Sequence, residues 1–333
     1  MRRHPLHVAT PGTVVGKRGG RLEARREGTV VASAALLGVS ELVLVGNVQV
    51  TTPALHALLD ADVPVILLRG DGRTRGRLEP PASPHAQVRR AQLRATDDPQ
   101  RRLMVAREIV AAKLGNQARL VTKQLDRNGA VSSGEGAARL RGLAVEAAQA
   151  DSVARLRGLE GAGSRAYFAA LRRVLAGWVP AFSQRDRQAD DPVNALINYL
   201  SAVLRETVQR ELVVRGLDPS VGFYHEPFRA RPSLALDLME EWRPVLLERT
   251  VLALIRRGQV GPGSLEPSDE GPRLSREARS AAVAHFDDRL QASYRPAGAS
   301  RATPLAAVLA GQAAQIRDLV TGARTGYEGF RWH

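Results

Sequence analysis

The sequence predicts an α+β protein, with a small, mostly-β N-terminal domain followed by a larger all-α catalytic domain. Three observations predict it. Short Val- and Leu-rich runs punctuated by glycine fill residues 6 to about 80. A proline-rich polar stretch, EPPASPHAQVRR, follows at 79–90. Beyond it, apolar residues recur at helical spacing to near residue 322. The expected division is a β-rich domain over 1–83, a linker over 84–95 and a helical domain over 96–333. A chain of 333 residues, 44% hydrophobic and 25% charged, has material for two cores.

In chain order, the strand-like runs are LHV (6–8), TVV (13–15), RLEARR (21–26), TVVA (29–32), ELVLVG (41–46) and VPVILLRG (63–70). One helix interrupts them, with Thr52 as its expected N-cap, Pro53 in the first turn and ALHALLDA after it. A Gly70–Asp71–Gly72 turn then leads into a last strand near RGRLEP. The first long helix is expected over 99–127, with Leu103, Ala106, Val110, Leu114 and Val121 on one stripe and Arg107, Lys113, Arg119 and Lys123 on other faces. Further helices are expected over 136–158, 164–178, 191–215, 234–257, 275–293 and 303–322. The intervening breaks fall at SSGEG, GLEGAG (158–163), RGLDPSVG (215–222) and the long loop 258–272.

The charge balance points to a polyanionic partner. Forty-eight Lys+Arg against 34 Asp+Glu give +14 at pH 7, and such a surplus gains from the counterions that phosphates release. Three of the 48 cations are lysine (Lys17, Lys113, Lys123) and 45 are arginine. Aromatics make up 4%, which favours duplex backbone over a stacking platform for single strands. Cysteine is absent, which excludes disulfides, thiolate zinc sites and a cysteine nucleophile. No apolar run reaches membrane length and no secretory h-region follows the N-terminal arginines, so a cytoplasmic location is expected.

The familiar signatures fail on spacing. GTVVGKRGG (12–20) is one residue short of a phosphate loop and has no Ser or Thr after Lys17, and Gly163–Ser164–Arg165 lacks the glycines of a nucleophile elbow. What remains is Glu160 in LRGLEGAGSRAYF, His225 in VGFYHEPF, and the acids of PSLALDLMEEWRP (232–244). There Ser233 is the expected N-cap, Asp237 and Glu240 share a helical face, Glu241 is turned about a quarter-circle away, and Pro244 should kink or restart the helix. Each residue has an ordinary explanation: acids suit a helix start, Glu240 and Arg243 suit a surface pair, His225 suits a structural loop, and Glu160 suits a helix end. Taken together, one imidazole and several carboxylates without thiolate suit a hard divalent ion, Mg²⁺ or Mn²⁺.

These segments resemble the CRISPR-associated spacer-acquisition integrase family, the "Cas one" family. Residues 41–80, KLGNQARL (113–120), LRGLEGAGSRAYF (156–168), DPVNALINYLSAVLRE (191–206), RGLDPSVGFYH (215–225) and PSLALDLMEEWRP carry the resemblance, in that order. It implies a metal-dependent endonuclease and integrase of CRISPR adaptation, which joins 3′-hydroxyl ends of captured double-stranded DNA to the repeat by transesterification. It implies a homodimer, with a dimer of the companion "Cas two" protein as partner. By match of motif it assigns Glu160, His225 and Glu240 as metal ligands, Asp237 as a further acid of the catalytic site and Arg243 as a basic group near the DNA phosphate. Asn194 and Tyr199 match positions of more structural weight. The loop after Glu160, Gly-Ala-Gly-Ser-Arg, departs slightly from the family pattern. The alternatives are a non-catalytic duplex-binding scaffold and a transposase sharing the catalytic domain.

Overall fold

The computed structural model describes residues 4–69, 74–79, 85–126, 134–186, 191–229, 231–267, 272–295 and 301–333. The chain divides into two compact units, Met1–Pro84 and His85–His333.

The first unit holds two four-stranded sheets. β2 (Val14–Arg18), β3 (Arg21–Arg26) and β4 (Thr29–Ala35) form an antiparallel meander, with β6 (Gln49–Val50) parallel to β2. Glu27 and Gly28 both take positive φ in the two-residue turn between β3 and β4, the conformation whose twist matches the flanking strands. In the second sheet β5 (Val39–Val45) lies between β1 (His4–Val8) and β7 (Val65–Leu68), parallel to both, and β8 (Thr74–Leu78) closes the edge antiparallel to β7. Helix α1 (Thr52–Asp60) contributes Ala54 and Leu58 to a core with Val15, Leu22, Leu42 and Leu44. Its cap is Thr51, one residue before the expected Thr52: the Thr51 hydroxyl accepts from the Ala54 N–H at 3.3 Å. The expected Gly70–Asp71–Gly72 turn lies outside the described residues.

The second unit is helical. Much of the expected linker 84–95 is helix, α2 (Ala86–Asp97), because its apolar and amide residues have work to do on one face. Gln92 is fully buried, donates to the carbonyls of Asp218 and Val221 and accepts from the Asp218 N–H, while Ala95 joins the core. Helix α3 (Pro99–Asp126) is the central element, wrapped by α4 (Gly134–Ala148), α5 (Val153–Leu175) and α7 (Ser233–Trp242). Being surrounded, it buries Lys113, Asn116 and Gln117 as well as the apolar stripe, so the expected polar faces are not all solvent faces.

The expected break at 158–163 is absent. Helix α5 runs straight through it, because the glycines admit a neighbour rather than ending the helix: a Cβ on Gly163 would sit 2.1 Å from Leu114 Cδ2 of α3. Helix α6 (Pro192–Val214) starts at Asp191, whose carboxylate caps the Asn194 N–H. Asn194 is fully buried and ties Gln184, Arg185, Asp186 and Asp191 together, the structural role the resemblance gave it. At α7, Pro232 precedes the helix and Ser233 is its first residue, donating its hydroxyl to the Glu226 carbonyl instead of capping. Pro244 lies in a π-helical turn (Arg243–Glu248) that joins α7 to α8 (Arg249–Arg256). Proline removes an α-helical hydrogen bond, and the widened turn absorbs the loss. Helices α9 (Arg276–Gln291) and α10 (Leu305–Val320) complete the unit. The C-terminal segment packs back onto it: Phe330 stacks on Trp242 at 3.9 Å, and Asn116 binds the main chain of Glu241, Phe330 and Trp332.

Candidate active site

Two of the expected ligands meet on one cation. Lys113 Nζ of α3 lies 2.5 Å from Glu160 Oε1 of α5 and 2.6 Å from Glu240 Oε2 of α7. The close crossing of α5 on α3 at Gly163 holds Glu160 within reach of Lys113. Burial alone would lower the lysine, but Glu240 and Glu160 outweigh it and hold the ammonium above its ordinary value. Burial would likewise raise Glu240, yet Lys113 first and Arg243 next bring it down to about 2. Tyr224 donates its hydroxyl to the other Glu160 oxygen at 2.7 Å. Burial and the Glu160 charge push that phenol far above its usual range, so it remains a donor.

His225 is held beside this pair. Its Nδ1 lies 2.7 Å from Asp237 Oδ1, a contact that favours the tautomer with the proton on Nδ1. Asp237 is fully buried and also accepts the backbone N–H groups of Phe223, Tyr224 and His225 at 2.7 to 2.9 Å. Its oxygens are thus occupied by the 223–225 turn and the imidazole. Asp237 is therefore a residue that positions His225. Gly222 makes the turn possible, since a Cβ there would fall 2.7 Å from the His225 carbonyl oxygen and 2.8 Å from Asp237 Oδ2.

Arg243 does not point to solvent. Its Nε is 3.7 Å from Glu248 Oε1, and Glu240 and Glu248 raise its pKa against the effect of burial. Glu248 in turn accepts from Tyr167 at 3.1 Å. Glu241, next in sequence to Glu240 and about a quarter-circle round the helix, meets other partners: it accepts from Tyr327 Oη at 2.6 Å and Phe330 N at 2.5 Å, pinning the C-terminal segment. Burial pushes Glu241 up to about 8.

Among the described residues no three His, Asp or Glu side chains form a closed ligand cluster. The donors nevertheless suit a hard divalent ion. Two carboxylates already share one positive charge, and Glu240 Oε2 is buried without a hydrogen bond of proper geometry despite its contact with Lys113. Sequence reasoning missed Lys113 as a member of this site. The signal was present, since a chain that writes 45 of its 48 cations as arginine keeps a lysine here.

A β unit and a helical unit that brings two carboxylates onto one lysine near a carboxylate-held imidazole define an α+β protein. The family model described as "CRISPR associated protein Cas1" matches residues 6–288. The chain belongs to the Cas1 family. It is 35% identical over 320 residues to the CRISPR-associated endonuclease Cas1 1 of Thermus thermophilus, covering 95% of this chain and 96% of that one. It is 37% identical over 293 residues to a CRISPR-associated exonuclease Cas4/endonuclease Cas1 fusion of Rhodospirillum rubrum, covering 86% of this chain but 50% of the fusion. The chain thus spans about half the length of that fusion relative. The fold is shared with a chain of a Cas6-RT-Cas1–Cas2 complex (TM-score 0.82, 24% identity, 99% of this chain and 36% of that one). It is shared also with a casposase bound to integration product (TM-score 0.76, 20% identity, 98% and 93%). Among the described residues no helix is long and apolar enough to cross a membrane.

Proposed function

We propose that this chain is the integrase and endonuclease of CRISPR adaptation, joining DNA 3′-hydroxyl ends to a phosphodiester of the repeat. The observation that carries the proposal is the convergence of Glu160 and Glu240 on a single cation beside the Asp237-held His225. Its relatives named as Cas1 endonucleases support it. In the reaction the 3′-oxygen forms a new P–O bond and gives up its proton, while the displaced strand's 3′-oxygen leaves with a proton. Glu160, Glu240 and His225 would hold Mg²⁺ or Mn²⁺, which supplies polarisation of the phosphoryl oxygen and charge to offset the leaving group.

The chain's own residues set the stage for that chemistry. Asp237 keeps His225 in the tautomer that offers Nε2. Lys113 and Arg243 keep Glu240 ionised, and Tyr224 orients Glu160. Glu160 and Glu240, between which Lys113 lies, would be the carboxylates that hold such an ion. Duplex DNA is the proposed substrate, held through the arginine surplus with little reading of sequence. The proposal includes a cytoplasmic protein that works as a homodimer with the companion Cas2. Edge strand β4, with Val30 and Val31 42% and 51% exposed, is the natural dimer surface.

The test is a joining assay on supercoiled plasmid bearing a CRISPR repeat, with short 3′-hydroxyl duplexes, Mn²⁺ or Mg²⁺ and the companion protein. Metal-dependent product from wild type and none from His225→Ala supports the reading. Tight duplex binding without product from either would move the assignment to a scaffold.

A further inference from the structure

We propose that Glu248 and Tyr167 are positioning residues of the carboxylate centre: they hold the Arg243 guanidinium beside Glu240, and the π-helical turn at Pro244 brings Arg243 and Glu248 toward one face. The consequence for DNA joining rests on the proposed function above; the positioning itself rests on the following geometry. Glu160 and Tyr167 are seven residues apart on α5, two turns along one face. Glu160 meets Lys113, and Tyr167, fully buried, donates its hydroxyl to Glu248 Oε2 at 3.1 Å. The chain from α7 into the π-helical turn supplies the facing groups: Glu240 meets the same Lys113, and Glu248, 1% exposed, meets Tyr167. Arg243 comes between those two acids in the chain, with its Nε 3.7 Å from Glu248 Oε1. Burial works against the Arg243 charge, and Glu240 first and Glu248 next more than offset it.

An unbroken α-helix would not make this arrangement. Residues five apart there stand about 140° apart round the axis, which would turn Arg243 and Glu248 to different faces. The α-helical bonding persists as far as the Arg243 N–H, which reaches the Met239 carbonyl. Pro244 then has no N–H to give the Glu240 carbonyl, and the chain widens into the π-helical turn Arg243–Glu248. Bonds of the i→i+5 kind take up an extra residue per turn and bring positions five apart toward one face. Within the widened stretch the buried Thr250 hydroxyl donates to the Leu246 carbonyl at 2.6 Å. Wide turns of this kind are frequent at functional sites.

Stability alone does not account for the Arg243–Glu248 pair. A buried ion pair repays its desolvation poorly, and apolar residues of the same volume often serve as well. What a buried charge network does supply is one fixed geometry, here for a guanidinium next to a carboxylate of the site.

The experiment is Mn²⁺ binding by the full-length protein, read by calorimetry, beside the plasmid joining assay and with thermal melting as a fold control. Tyr167→Phe removes one hydroxyl and no charge, so its effect at Glu240 has to travel through Glu248 and Arg243. Mn²⁺ binding is expected to weaken about threefold in Tyr167→Phe and about tenfold in Glu248→Gln. In Glu248→Gln the joining kcat is expected to fall about 10–100-fold, with KM for the duplex little changed. In an Arg243→Gln background neither substitution is expected to cost anything further. Tyr167→Phe carries the test alone if Glu248→Gln does not fold. Unchanged Mn²⁺ affinity in both variants, or equal losses with and without Arg243, would overturn the proposal. Losses that need Arg243, in a protein whose wild type binds Mn²⁺ but joins no DNA, would keep the positioning role and remove the integrase reading. A joining wild type with losses independent of Arg243 would do the reverse. A wild type that binds no Mn²⁺ would overturn the proposal together with the reading of the carboxylates as a metal site.

Discussion

Lys113 and Lys123 sit on the same helix and meet opposite surroundings. Lys113 is buried between two carboxylates: Glu160 and Glu240 face the ammonium, and Arg243 faces Glu248. Lys123 lies over the Trp332 ring, which Arg249 also approaches. The difference is one of constraint. A buried network of paired charges is rigid and holds its groups in place, whereas a cation over an aromatic ring is drawn to the ring's face without being fixed in one geometry.

Breaking the compensated side should have the largest effect. Lys113→Met keeps the volume but leaves Glu160 and Glu240 uncompensated in a buried site. The expected loss is about 3–5 kcal/mol in the absence of divalent ions, measured by urea unfolding. A loss below about 1 kcal/mol, the range of a surface pair, would mean the pair is solvated.

The next effect separates Glu240 from its sequence neighbour. Glu241 is raised from 4.5 to about 8, so its share of stability is full below 4.5 and is lost as pH rises through 8. Glu240 is lowered from 4.5 to about 2, so its share is present above 4.5 and is lost as pH falls toward 2. Between pH 5 and 7 the wild type should lose about 2–3 kcal/mol through Glu241, and Glu241→Gln should flatten that slope. Parallel pH curves for variant and wild type would show that Glu241 is ionised in the folded protein.

A smaller effect is expected at Asp237, which acts through His225. Asp237→Asn should lower joining about 10–100-fold, with duplex affinity retained. Unchanged joining would show that the imidazole needs no anchor.

The sequence told much of this and missed some of it for identifiable reasons. Strands β3 and β5 were legible as short apolar runs punctuated by glycine, and α6 from apolar residues at helical spacing. The family motifs pointed to Glu160, His225 and Glu240, and the structure brings Glu160 and Glu240 together at Lys113. The glycines at 158–163 were misread because a glycine that admits a crossing helix looks, in one dimension, like one that ends a helix. Lys113 was placed on a polar face because periodicity cannot tell a helix with one wet side from one surrounded by partners. The C-terminal anchoring of Glu241 by Tyr327 and Phe330 spans more than eighty residues and leaves no local pattern.

The central claim is that Glu160 and Glu240 form one cation site, at which Lys113 lies between them. The most direct measurement is Mn²⁺ binding, followed by calorimetry and by electron paramagnetic resonance, on wild type and Glu240→Gln at neutral pH. The account predicts one Mn²⁺ site in wild type and at least about tenfold weaker binding in the variant. Equal affinity in both proteins would contradict it.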